Sequence, residues 1–232
     1  MLTDDKRAIL RMAGNEELLI RADEFLATHN PKALPALIVQ LWPTRDKTLI
    51  LDVDNESIRK RFAAGVEGDD GWWCSFKSYS QTKPTLHGFA TMSGSEEPTW
   101  ACEAHHDAHF IAGLWHFPTL MRESHNVPVL ATFHAQFFKD FLILVQSTLG
   151  SQESGKEIKF NVTAAVVRAS KLYFAAEAKF GNSFTIRATP LSQENLQFPI
   201  YRIEPAQEDW STTANQMARA LCGAYGVAAP TP

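Results

Sequence analysis

From Ile158 to Val166 the chain alternates without a break, with Ile158, Phe160, Val162, Ala164 and Val166 on one side and Lys159, Asn161, Thr163 and Ala165 on the other. A side-chain period of two fits a strand with one face on a core, because a helix would scatter those apolar residues around its circumference. A strand cannot bury a face alone, so the chain must build a sheet and supply elements that cover it. The covering elements are legible as helices of amphipathic period. Leu18, Leu19, Ala22, Phe25 and Leu26 form one stripe over residues 16–28. Phe137, Phe138, Phe141, Leu142, Val145 and Leu149 form a wider one over 133–149, opposite a polar stripe of Gln136, Lys139, Asp140 and Ser147, and Gly150 stops it. Trp210, Met217, Ala218 and Leu221 mark a last helix over 208–224.

The rest of the chain is assigned from its turn signals. Thr3 caps a first short helix, Asn15 caps the helix that follows, and Asn55 caps another over 56–64. Two hairpins are expected in the first half. One pairs residues 36–42 with 47–53, and the other pairs 72–80 with 85–93 across Gln-Thr-Lys-Pro. The second half continues from 158–166 through 171–180, 183–189 and 196–204 as an antiparallel four-strand meander, although 171–180, Ala-rich and followed by Gly181, could instead be helical. The predicted class is α+β: N-terminal helices, two β-hairpins, a long apolar central helix, the meander and a final helix. One domain over 1–232 accommodates this, and the loop-like stretch 93–98 marks where subdomains 1–95 and 96–232 would divide.

Composition narrows the class of function. A hydrophobic fraction of 45% supports a packed core, and a net charge of −4 argues against a chain devoted to holding a nucleic-acid backbone. Cys74, Cys102 and Cys222 form no Cys-x-x-Cys and leave an odd thiol, which suits a reducing compartment. The opening residues carry acids where a secretory leader would be basic and apolar, and the longest strongly apolar run is 141–145. A cytoplasmic protein without a membrane partner is the expectation.

Two places could carry chemistry. In Cys-Glu-Ala-His-His-Asp-Ala-His-Phe, Cys102, His105 and His109 would share a face of a helix, whereas His105, Asp107 and His109 would share a face of a strand. Thiolate, imidazole and carboxylate all bind transition metals, so a divalent metal on Cys102, His105 and His109, with His106 and Asp107 as further ligands, is the first candidate. The second is the strand pair 157–179. A loop of Arg168 to Ser170 pairs Val166 with Leu172 and Phe160 with Ala178, and sets Asn161 opposite Glu177 with Lys159 opposite Lys179. Glu177-Ala178-Lys179 at a strand end resembles the second half of the PD-(D/E)xK nuclease motif. The resemblance implies a metal-dependent nuclease with Glu177 and Lys179 in its site. Asn161 stands where the family needs an Asp, so a metal-binding carboxylate is missing.

A shorter stretch, Asp52 and Asp54 after an apolar run, resembles the Asp-x-Asp-x-Thr of haloacid-dehalogenase-type phosphatases, but Glu56 replaces the Thr. No phosphate loop or nucleophile elbow is present. The expected function is therefore a non-catalytic binding or regulatory protein. It would act on a small ligand, another protein or a second copy of itself, with Trp72, Trp73, Trp100 and Trp115 available as contact aromatics. The alternative is a metal-dependent hydrolase, either a degenerate nuclease or a zinc site on the histidine cluster.

Overall fold

The computed structural model describes residues 16–44, 50–64, 66, 76, 81–94, 98–115, 127–150, 158–175, 194–204 and 210–226. Among them the elements run α1 Glu16–His29, β1 Ala36–Pro43, α2 Glu56–Ala64, β2 Gln81–Pro84, β3 Gly88–Met92, β4 Trp100–His105, β5 Phe110–Leu114, β6 Val127–Leu130, α3 Ala131–Leu149, β7 Phe160–Val167, β8 Leu172–Ala175, β9 Asn195–Gln197, β10 Tyr201–Ile203 and α4 Ser211–Ala224. Helices and an antiparallel eight-stranded sheet make the class α+β. No helix among these residues is long and apolar enough to cross a membrane.

The sheet runs β10-β7-β1-β5-β4-β3-β2, with β9 also on β7. Strand β1 lies in its interior, antiparallel to β5 through Leu37–Leu114 and Leu41–Phe110, and to β7 through Leu37–Val166 and Leu41–Val162. Both its faces are covered, which explains why residues 36–41 read as one apolar run with a single polar break at Gln40. Leu37, Val39 and Leu41 join Phe110, Phe160, Val162 and Val166 in the larger core, closed by Ile58 and Phe62 of α2, Phe138 and Phe141 of α3, and Met217 and Leu221 of α4. Ala36, Ile38, Ala101, Ile111 and Trp115 form a smaller core under Ala22 and Phe25 of α1.

Several pairings differ from those the sequence suggested. Residues 50–53 are not a strand, and both edges of β1 are taken by β5 and β7, so the 36–42/47–53 hairpin does not form. Gln81–Pro84, expected as a turn, is itself β2 and pairs with β3, so the turn moves to residues 85–87. The four-strand meander is replaced as well. Strand β7 pairs with β1, β9 and β10, while β8 runs parallel to β6 in a separate two-stranded sheet. Alternation fixes which face of β7 is buried but carries no information about its neighbours. Asp140, expected on a solvated stripe, is fully buried, and Gln136 Nε2 donates to its Oδ1 at 2.6 Å. Ile143 packs partly buried against the larger core.

The close approach of α1 to the sheet depends on one glycine. A Cβ on Gly113 would lie 2.6 Å from Phe25 Cε1 and 3.2 Å from Trp115 Cζ3. Gly113→Ala should therefore destabilise the protein by about 1–3 kcal/mol in urea denaturation, despite the better strand propensity of alanine. Combining it with Phe25→Leu should recover part of that loss. A neutral or stabilising Gly113→Ala would show that α1 does not sit this close.

Candidate functional site

The histidine-rich stretch becomes the end of β4 and the four-residue connection 106–109 that leads into β5. The His105 N–H donates to His109 O at 2.9 Å, and the Ala108 N–H donates to His105 O at 3.0 Å. Ala108 takes φ of 57°, a left-handed conformation that costs a residue with a Cβ roughly 1 kcal/mol. Asp107 Oδ1 accepts the His109 N–H at 3.3 Å and steadies the turn. His105 and His109 thus meet as a cross-strand pair, their rings perpendicular with centroids 5.1 Å apart.

Alternation along β4 then separates the proposed metal ligands. Trp100, Cys102 and Ala104 face the larger core, while Glu103 and His105 face α1. Cys102 is therefore on the opposite side of the sheet from both imidazoles. Burial pushes its thiol well up, and the neighbouring Glu103 charge adds to this, so it is a poor source of thiolate. His106 turns away, with Nδ1 2.8 Å from the backbone oxygen of His87. Asp107 is held by Arg21, whose Nη1 lies 3.0 Å from Oδ1 and Nη2 2.6 Å from Oδ2. Among the described residues, no group of three or more His, Cys, Asp or Glu side chains is placed to hold a metal.

The structure centres instead on Glu103, a buried carboxylate between two imidazoles. Its Oε1 is 2.8 Å from His29 Nε2 at the end of α1, and its Oε2 is 2.7 Å from His105 Nε2. Burial opposes the charge on Glu103, but the hydrogen bonds from His105 and His29 outweigh it and hold the carboxyl at about 2. Arg21 Nη1 approaches Nδ1 of His105 at 3.2 Å and Nδ1 of His109 at 3.1 Å. A guanidinium has only donors, and the two hydrogens of Nη1 are shared among the two imidazoles and Asp107 Oδ1; a His105 ring that accepts there through Nδ1 carries its proton on Nε2, where Glu103 accepts it. Burial pushes His109 well below the usual imidazole range, and the Arg21 guanidinium beside it adds to this. Its enclosed Nε2 has no hydrogen-bond partner among the described residues.

Beside this network lies a cavity of about 370 Å³ between α1 and the β2–β3 turn. Arg21, Glu24, Phe25 and Thr28, at spacings of three and four along α1, form one wall. Pro84, Thr85, Leu86 and His87 form the other, and Glu103 and His105 form the floor. The His87 ring lies over that of His105 at 5.2 Å and 32°, and His87 Nε2 is 3.3 Å from Glu24 Oε2.

The other proposed residues are not gathered here. Glu177 and Lys179 lie outside the described residues, and Asn161 pairs with Trp42 and Arg202, so the register that put Asn161 opposite Glu177 is not the one adopted. Asp54 accepts from Arg59 at 2.9 Å, and Asn55 Oδ1 accepts the N–H of Ser57 at 2.9 Å as a helix cap. Trp100 and Trp115 are core residues at 8% and 5% exposure, not contact aromatics. Glu103, His29, Arg21 and His87 escaped the sequence reading. Glu103 had a signal, since it stands two residues from His105 in what becomes one strand. The others come from distant segments.

Because the Glu103 pKa is lowered from 4.5 to about 2, its contribution to stability is complete above roughly pH 5 and is lost as pH falls towards the folded value. The stability advantage of the native protein over Glu103→Gln should shrink by about 3 kcal/mol between pH 5 and pH 2. Asp107, also held at about 2 by Arg21 against the opposing effect of burial, titrates in both proteins and cancels. Parallel pH profiles in urea denaturation would contradict a charged, doubly bonded Glu103.

Comparison of the chain with family models, with curated proteins and with solved structures finds no match, so the functional reading stands on the geometry of this site.

Proposed function

We propose that this chain is a non-catalytic binding protein for a small ligand, with its site in the cavity between α1 and the β2–β3 turn. The observation that carries the reading is a cavity of about 370 Å³ whose floor is a hydrogen-bonded Glu103–His105 pair. That volume falls within the range of small-molecule sites. Phe25, Pro84 and Leu86 supply apolar wall, and Glu24, Thr85 and His87 supply a few converging polar groups.

Binding is favoured over catalysis by how the floor is already engaged. A general base needs a lone pair free to meet the substrate. Both ring nitrogens of His105 face protein partners, and each oxygen of Glu103 receives an imidazole. A hydrolytic metal on His105 would have to displace Arg21 from Nδ1 or Glu103 from Nε2, in either case beside a guanidinium that repels it. Side chains held this firmly suit a preformed site, where little ordering cost accompanies association.

Thr28 lines the cavity and is exposed, so a large residue there should fill the cavity without disturbing the core. Ligand-observed NMR with a small polar fragment library should give hits on the native protein that Thr28→Trp abolishes at unchanged melting temperature. Hits that persist in Thr28→Trp, or a native protein that gives none, would overturn the proposal.

A further inference from the structure

We infer that the cavity selects an organic cation, a primary ammonium or guanidinium on a short apolar stem, anchored by Glu24; this rests on the cavity being a ligand site. The selection follows from which polar groups remain available. Arg21 is the cation in the lining, but its two terminal nitrogens already face Glu17, both oxygens of Asp107, and the Nδ1 atoms of His105 and His109. Those nitrogens carry four hydrogens in all, so they offer no donor to an incoming anion.

Acceptors, in contrast, are in surplus. Glu24 has one long contact with His87 at 3.3 Å, and its side chain is 55% exposed. Each oxygen of Glu103 accepts one imidazole and keeps a second lone pair. Thr85 Oγ1 is enclosed and makes no hydrogen bond among the described residues. Glu17 and Asp107 pair with the Arg21 guanidinium, and Glu24 and Glu103 line the same cavity, so carboxylates outnumber that cation and the local field is negative. An ammonium group seated against Glu24 would meet a carboxylate whose one hydrogen bond is long and whose side chain is accessible. Its hydrocarbon stem would then lie along Phe25, Pro84 and the 90%-exposed Leu86. An anion of the same size would meet two carboxylates repelling it, with only neutral hydroxyls such as that of Thr28 and the His87 ring, already 3.3 Å from Glu24, to answer its charge.

Three probes with one carbon skeleton separate these cases: butylammonium, butanol and butyrate. Each is titrated into the protein while the signals of His87 and Phe25 are followed by NMR. Butylammonium should shift both signals saturably and bind about tenfold or more tightly than either other probe, the scale of one charge-assisted hydrogen bond. Glu24→Gln should reduce that preference by about tenfold with the spectrum otherwise unchanged. Tighter binding of butyrate, equal binding of all three, or an unaltered preference in Glu24→Gln would overturn the cation assignment and leave the cavity as a ligand site. If no probe produces saturable shifts at these residues, both the assignment and the binding reading fall.

Discussion

Glu103 is a carboxylate placed inside the protein between a helix and a sheet, where an unmatched charge would cost several kcal/mol. Its two oxygens meet His29 and His105, so the charge is affordable only while α1 and β4 hold their mutual position. Arg21 makes a second connection about 12 Å earlier along the same helix, to Asp107 and both cross-strand histidines. Two polar anchors at opposite ends of one helical face resist both sliding and rotation of α1. Between them Phe25 settles over Gly113, where a side chain would have kept the helix away.

The cavity follows from that arrangement. Helix α1 is held against β4 and β5 by charged groups, and the β2–β3 turn projects past the sheet edge beside it. The floor of the space left between them, Glu103 and His105, is fixed by contacts elsewhere, while Glu24, Thr28 and Leu86 form its exposed rim. On the other face of the sheet, α2, α3 and α4 close a largely apolar core, where α3 also buries Asp140 beside Gln136. Stability is thus concentrated on one face. The α1 face accepts the buried charge of Glu103 and, among the described residues, an imidazole nitrogen without a hydrogen-bond partner, features that natural folds keep mainly where a site must be shaped.

How much of this could be read from the chain depends on the range of the interaction involved. Helix α1 and the burial of Leu18, Leu19, Ala22 and Phe25 came from a period of 3.6, and the buried face of β7 from a period of two, because both are local properties. Strand partners were not legible. The alternation of Phe160 to Val166 is equally satisfied by a hairpin with 172–178 and by the long-range pairing with Leu37 to Pro43 that forms. The histidine cluster was visible, and the structure does bring His105 and His109 together, through a hairpin that also sends Cys102 to the far side of the sheet. Arg21 could not have been found. Four residues after Glu17 it looks like half of a solvated helix pair, and only the tertiary fold delivers it to histidines more than eighty positions away.

The central claim, that a charged Glu103 and the guanidinium of Arg21 grip His105 from opposite sides, is tested most directly by the protonation pattern of that ring. Long-range proton–nitrogen correlation spectra of protein labelled with ¹⁵N-histidine distinguish the two nitrogens near neutral pH. The structure predicts a His105 signal with Nε2 bearing the proton and Nδ1 bare, converting to another pattern in Arg21→Met, where Nδ1 loses its donor. A His105 ring protonated on Nδ1 in the native protein, or one indifferent to the loss of Arg21, would contradict the account.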